Sequence, residues 1–391
     1  KNSKNASIKA VSEGNKLSTA FGISAVSSEN GSLVNEGSIN VSAKAKDVAF
    51  GVATEFWGWW DVTEPYSLLD GSFSNSGTIN AFAQSDNYAV ASGLSTDALV
   101  EESTITNSGT ISVNGVSKDI KKAFAYGLVG SELVNSTITN SGTIEAKVNG
   151  KLNNQGFSLN YEDTSGSTIT NEKTGKLYGN IYLGDNGQFV NKGFVSLPYN
   201  ANVLNTIQYL YDDGTPEDTR KGGVYISNLV NSGTIEIGAF KNSNSKIENT
   251  QILTKNATFN AGSKLNVRVE AGSKAFVKGD RLEQVISATN SLTINELKVN
   301  SATLEFEEVE VKPLAANNTV KYIDLVVSKV NAFEEAGNTQ GNATNVSQVL
   351  NKLRTDPTLG SLVAKLDTLD PAALNRALDT LTPTIAAAIS N

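Results

Sequence analysis

Five segments of this 391-residue chain follow nearly one formula: Asn35-Glu-Gly-Ser-Ile39, Asn75-Ser-Gly-Thr-Ile79, Asn107-Ser-Gly-Thr-Ile111, Asn140-Ser-Gly-Thr-Ile144 and Asn231-Ser-Gly-Thr-Ile235. Weaker copies start at Asn171, Asn191 and Asn260. Successive Asn residues lie 40, 32, 33, 31, 20, 40 and 29 positions apart, a mean of about 32. Self-similarity at such a period restricts the chain to a solenoid or a propeller. Short alternating runs flank each corner, with Ser103-Thr-Ile-Thr106 before one and Ile144-Glu-Ala-Lys-Val148 after another. A third apolar piece recurs between them, as Ala20-Phe-Gly-Ile23, Ala49-Phe-Gly-Val52 and Ala125-Tyr-Gly-Leu128. Period-2 alternation in short runs predicts strands with one buried face. Three short strands per repeat, with no helical stretch between them, exclude a βαβ fold. Four-stranded propeller blades usually need 40 or more residues. The pattern therefore predicts an all-β parallel β-helix of eight to ten rungs, one repeat per rung.

The corners supply the turn chemistry. Asn tolerates the left-handed backbone region and Gly adopts it freely, so Asn-x-Gly is expected to bend the chain there. In a parallel stack, Asn35, Asn75, Asn107, Asn140 and Asn231 fall one above another, ~4.8 Å apart, and their amides are expected to form a hydrogen-bonded ladder. These residues are read as structural and not as ligands.

Composition narrows the function. The chain has no His, Cys or Met. That removes Ser-His-Asp triads, cysteine nucleophiles, disulfides and zinc sites built on His or Cys. With 32 basic against 40 acidic residues the net charge is −8, which disfavours nucleic acid as a partner. Hydrophobic residues make up 39% and charged residues 18%, too apolar for disorder and too lightly charged for a coiled coil. Cysteine absence suits a chain that crosses an oxidising space unfolded, and a start at Lys1 suits removal of a signal peptide. No apolar run of 18 residues is present, so no membrane-spanning helix is expected.

The C-terminal quarter changes character. Residues 302–330 read as strands, including the acidic Glu305-Phe-Glu-Glu-Val-Glu310, with Phe306 and Val309 on one face. Beyond Gly337 the period becomes helical: Val346, Val349, Leu350 and Leu353, then Leu359, Leu362, Val363 and Leu366, then Leu374, Ala377, Leu378 and Leu381. Asp356-Pro357, Asp370-Pro371 and Thr382-Pro383 each suit an N-cap followed by Pro at the first helical position.

The Asn-Ser-Gly-Thr-Ile rungs, the strand-rich cap and the tail Leu369-Asp-Pro-Ala-Ala-Leu-Asn-Arg-Ala-Leu378 together resemble a type V autotransporter passenger of the adhesin-like kind. The resemblance covers nearly the whole chain. It implies a right-handed β-helix over residues 1–265, an autochaperone-like cap at 266–335, and a helical segment at 336–391 preceding a membrane barrel. It further implies export through that C-terminal outer-membrane barrel and a location at the bacterial cell surface or outside the cell. The barrel is not within these 391 residues, as expected of a chain cut or cleaved near Asn391. Proteases and lipases of this family carry a Gly-Asp-Ser motif with a His partner. Here Gly184-Asp-Asn186 and Gly279-Asp-Arg281 take other residues and His is absent, so that branch is set aside.

Two insertions stand out. The first, near residues 55–72, contains Glu55-Phe-Trp-Gly-Trp-Trp-Asp-Val-Thr-Glu-Pro-Tyr66 and all three tryptophans. Phe56, Trp57, Trp59, Trp60 and Tyr66 are the leading candidates for a binding or self-association surface. Three exposed Trp would present about 450–750 Å² at ~150–250 Å² each, more than an ordinary monomer leaves bare. A flap packed on the solenoid, a partner or self-association surface, and sugar stacking are the open readings. The second insertion, near 196–226, holds Leu197-Pro-Tyr-Asn200, Tyr209, Tyr211, Asp212 and Asp213. Its carboxylates match neither an EF-hand nor a nonapeptide calcium repeat, so they read as a solvated acidic loop and no metal is assigned. No catalytic residue and no cofactor is assigned.

Three functions follow in order: a non-enzymatic adhesin or stiff binding scaffold, a self-associating subunit of a fibre or coat, and a carboxylate-based carbohydrate-active enzyme. The expected partners are a host-cell or bacterial surface receptor, a glycan, or copies of the chain itself, together with its own barrel during export.

Overall fold

The computed structural model describes residues 1–381 apart from 27, 58–65, 200–205, 211–215, 222–223, 315–316, 338, 355–358, 360–362 and 370. The chain is a parallel β-helix. Each rung supplies a strand to three faces. The first face carries strands that end on Asn, such as Ser72–Asn75, Thr104–Asn107 and Thr137–Asn140. After the corner, the second face carries Thr78–Ser85, Thr110–Ser117 and Thr143–Val148. The third face carries Leu17–Val26, Val48–Trp57, Tyr88–Glu101 and Ala123–Val134. Second-face strands stack in sequence order from Ser7–Gly14 to Lys298–Ser301, ten in one parallel path. Nine steps of ~4.8 Å make the stack about 43 Å long.

The formula residues build the core. Ile39, Ile79, Ile111, Ile144, Leu177, Val195, Ile235 and Leu265 lie in register on adjacent rungs, all buried. Each side chain of this kind contributes about 1.5–3 kcal/mol by leaving water.

Corner glycine has a different cause from the one the turn chemistry suggests. Neither the ladder Asn residues nor Gly37, Gly77, Gly109 and Gly142 have positive φ. Glycine is required there because the rungs approach closely. A Cβ on Gly77, Gly109 or Gly142 would collide with the carbonyl oxygen of the preceding corner glycine. Gly109→Ala is therefore expected to destabilise by about 1–3 kcal/mol, as overpacking does. Thermal melting checks this against Ser108→Ala on the exposed neighbour, for which a change within about 0.5 kcal/mol is expected.

The parallel stack does not stop near residue 265. That position lies inside the strand Lys264–Val269, and parallel pairing continues to Ser301. The antiparallel closure comes later: Asn317–Val330 pairs with Arg281–Ile294, Leu304–Phe306 and Val311–Leu314. The acidic run is a strand only over Leu304–Phe306, and its Phe306 and Val309 pack on the core.

The tail is helical at Phe333–Ala336, Asn342–Leu353 and Pro371–Thr380, with a 3-10 turn at Ala364–Thr368. Pro371 opens its helix as expected. Asp356, Pro357, Asp370, Pro383 and Leu362 lie outside the described residues, as does Thr382. Phe333, Val363, Leu374 and Leu378 form a separate small core, supported by Leu350, Leu353 and Leu366. Val349, Leu359 and Leu381 are exposed, so the apolar stripe is narrower than its periodicity suggests. The tail is docked on the cap: Arg354 donates to the Asn331 carbonyl at 2.7 Å and pairs with Asp367 at 2.7 Å. Among the described residues no helix is long and apolar enough to cross a membrane.

Candidate functional site

The Asn ladder is present and longer than the five corners imply. Asn2 donates to Asn35, and the chain of amides continues through Asn75, Asn107, Asn140, Asn171 and Asn191 to Asn231, each bond 2.7–2.9 Å long. All eight side chains are buried. From Asn2 to Asn191 each Nδ2 donates toward the C-terminal neighbour, so the seven bonds run in one direction and polarise each other, and the last Nδ2, of Asn231, donates to the Gly233 carbonyl. Asn260 is not on the ladder. Phe259 occupies the register position next to Asn231, and Asn260 instead accepts from Asn295 at the surface. Asn2 lacks the formula after it; its only sequence signal is a spacing of 33 before Asn35.

The third face has an unusual outer side. The apolar pieces that look alike in sequence are not all equivalent in register: Ala20 pairs with Gly51, and Ala125 with Ala91. A slip of two residues keeps each side chain on its own face. Ala49, Ala89, Ala91, Ala123 and Ala125 point into the core. They are small because the formula Ile residues already fill the interior. A Cβ on Gly93 or Gly127 would run into the Cγ2 of Ile111 or Ile144. The large residues between them therefore face outward, in columns such as Thr19, Phe50, Val90, Phe124 and Phe21, Val52, Ser92, Tyr126, Phe157.

Phe124, Tyr126, Val129 and Phe157 form a second apolar cluster outside the core, with Tyr88, Val90 and Tyr182 against it. Its rings pack in a row: Phe50 to Tyr88 at 6.1 Å, Tyr88 to Phe124 at 5.6 Å, and Tyr126 to Phe157 at 5.9 Å. Tyr182 and Tyr225 continue it at 5.7 Å. Burial pushes the Tyr88 phenol far above the ordinary tyrosine range. The middle of the row is buried, while Leu17 at 60%, Phe21 at 38% and Leu253 at 44% remain open at its two ends.

Both insertions border this same face. The first leaves the end of Val48–Trp57, and the chain resumes at Tyr66–Leu69. The second ends where Val224–Asn231 begins. They sit on opposite edges, five rungs or about 24 Å apart along the stack. Phe56 does not belong to an outer cluster. It is 3% exposed and part of the core, because the alternation that puts Phe50 and Val52 outside breaks at Ala53 and Thr54, which are both fully buried, and Phe56 follows the new phase inward. The Trp57 backbone pairs with Val26, and the Tyr66 backbone with Leu99. Trp59 and Trp60 lie outside the described residues. Tyr209 lies on the strand Thr206–Leu210, which forms an antiparallel hairpin with Pro216–Lys221. Tyr211, Asp212 and Asp213 lie outside the described residues.

An ionic clamp holds the root of the second insertion. Arg268 reaches Glu270 at 2.7 Å, Ser196 at 2.8 Å and the Leu197 carbonyl at 3.1 Å, and also pairs with Glu236. Desolvation works against the Arg268 charge, but Glu270 and Glu236 outweigh it and hold its pKa above the usual value. Ser196 in turn donates to Glu236 at 2.8 Å. Sequence reading missed this clamp because its members come from three rungs.

Among the described residues no group of three or more acidic side chains is placed to hold a metal ion. No family model matches the chain, and no curated protein matches it.

Proposed function

We propose that the protein is a non-enzymatic binding scaffold of the adhesin type, displayed at a bacterial surface or secreted, and exported as an autotransporter passenger is. The observation that carries this reading is the convergence on one face. The outward aromatic row and the roots of both insertions share the third face, while elsewhere among the described residues the aromatic contacts are isolated pairs, Tyr178 with Phe194 and Tyr199 with Phe240. A stiff stack about 43 Å long holds that face at a fixed spacing. The ligand is a surface receptor or glycan met by the insertions.

Replacing Trp57, Trp59 and Trp60 together by Ser tests this. The β-rich circular dichroism spectrum and melting temperature are expected to stay nearly unchanged, while adhesion of protein-coated beads to cells falls severalfold. Unchanged adhesion with an unchanged fold removes the loop as a binding site, and global unfolding assigns it to packing.

A second reading, a self-associating fibre or coat subunit, is favoured by the apolar side chains left open at the two ends of the aromatic row, Leu17, Phe21 and Leu253. Sedimentation over a concentration series separates the two: concentration-dependent assembly supports the subunit, a persistent monomer the adhesin.

A further inference from the structure

On a different corner from the third face lies a shallow groove of 580 Å³. It follows the Asn corner where the formula drifts. Early rungs place Ser38, Thr78, Thr110 and Thr143 at the start of the second face, in register with one another. Continuing the same register, the later rungs place Lys176, Phe194, Thr234, Lys264 and Lys298 there. Lys192 stands on the other side of the corner, where Ser141, Glu172 and Ser232 stand in other rungs, and Lys173 follows Glu172 in the two extra residues before Gly175.

The floor between these two rails is bare backbone. Gly175, Gly193 and Gly233 lie against the corner of the preceding rung, and a Cβ on any of them would collide with it. Four lysines and the half-buried Phe194 ring therefore rise beside a floor without side chains. Among the described residues no carboxylate lines the groove itself, and those nearest are Glu172 on Lys192 and Glu296, which accepts from the Gly262 N–H at 2.9 Å. Lys192 is paired with Glu172 at 3.1 Å, and among the described residues Lys173, Lys176 and Lys264 form no ion pair.

Like charges gathered along one edge repel each other, and the hydroxyl residues of the early rungs show that the fold does not need them. We infer that this corner is a binding groove for a polyanionic polysaccharide, a chain bearing sulfate or carboxylate groups. Cations stand on three of the four rungs from Lys176 to Lys264, a span of about 14 Å in three steps of ~4.8 Å, which suits spaced anions on an extended chain. Phe194, packed at 5.7 Å on Tyr178, offers an apolar surface to a sugar ring. The glycine floor lets a flat chain approach the backbone.

The test uses the whole protein and dextran sulfate as probe, with uncharged dextran, inorganic sulfate and poly-glutamate as comparisons. Dextran sulfate is expected to bind and uncharged dextran not to, with affinity falling as salt is added. Lys173→Ser, Lys176→Thr, Lys192→Ser and Lys264→Thr together install residues of the kind other rungs carry. This variant is expected to melt like the parent and to bind about tenfold or more weakly, with a flatter salt dependence. A control with Lys44, Lys118, Lys121 and Lys122 changed to Ser carries the same net charge and is expected to bind like the parent. If the groove variant does not fold, Lys→Gln at the same four positions is read in the same assay. Equal losses in both variants would reduce the effect to overall charge and overturn the site. Poly-glutamate binding as tightly would reassign the groove to an acidic protein segment. Inorganic sulfate competing as well as the polymer, group for group, would leave only separate ion contacts, and no binding of dextran sulfate would end the proposal.

Discussion

Asn107→Ala is expected to lower stability by about 2–6 kcal/mol, from two buried groups left unpaired at ~1–3 kcal/mol each. Asn107 sits mid-ladder, donating to Asn140 at 2.8 Å and accepting from Asn75 at 2.7 Å. Its removal leaves the Asn140 Oδ1 without its donor and the Asn75 Nδ2 without its main acceptor. Asn107→Asp discriminates further. It keeps the shape and the bond from Asn75, but it turns a carboxylate oxygen toward the Asn140 Oδ1 at a buried site. The Asp variant is therefore expected to melt below the Ala variant. Equal melting of Asn107→Ala and the parent would show that the ladder contributes nothing net.

The second large effect lies at the junction of cap and tail. Arg354 stacks on Phe333, 3.7 Å from the ring centre, while holding Asp367 and the Asn331 carbonyl. Burial raises the Asp367 pKa, and the Arg354 charge opposes that rise. Arg354→Met strands a buried carboxylate, and the expected loss at neutral pH is about 3–5 kcal/mol in the docking of the tail. The sign with pH follows from linkage. A folded-state pKa above the unfolded value means that the folded form holds its proton more tightly, so stability falls as pH rises from the unfolded Asp value of about 3.9 through the folded value. In the Arg354→Met variant the tail is expected to regain stability on acidification through that window. The double variant Arg354→Met, Asp367→Leu is expected to recover most of the loss at all pH values. Hydrogen exchange of the helix Asn342–Leu353 reports both. A single variant insensitive to pH would show that Asp367 is not the stranded group.

What could be read from the residues alone follows from where the periodicity is strict. The corners were legible because Asn, Gly and Ile each meet one fixed environment in every rung: a buried amide chain, a backbone contact and the core. Asn2 and Phe259 escaped because the ends of a ladder need not obey its formula. The reason for corner glycine was misread, since a left-handed turn and a close backbone approach demand the same residue and only coordinates separate them. Alternation in the third-face strands gave two sides without saying which was inside. Phe50 and Phe124 would ordinarily be assigned inward, yet Ile111 and Ile144 on the opposite face leave room only for Ala and Gly. Phe56 turned the other way although it shares its parity with Phe50, because the alternation breaks at the two buried residues Ala53 and Thr54. The Arg268 clamp and the lysine groove depend on register between rungs of unequal length, which spacing along the chain does not encode.

That inequality of rung length separates two parts of the molecule. From one ladder Asn to the next the chain takes anything from 20 to 40 residues, yet the Ile, Leu or Val four positions after the Asn returns to its column in most rungs. Apart from two extra residues in the Asn171 corner, the variation is discharged between corners: residues 58–65 in one rung, 197–223 in another, and a merged strand Asn180–Asn191 in the shortest. Length is thus free wherever the chain leaves the stack and quantised wherever it returns. A loop at such a position can grow, shrink or change its chemistry without moving any amide of the ladder. A single residue added between Asn and Ile would send every following side chain of that strand to the opposite face. The insertions and the shaft that carries them therefore answer to independent constraints, so one can diversify while the other stays fixed.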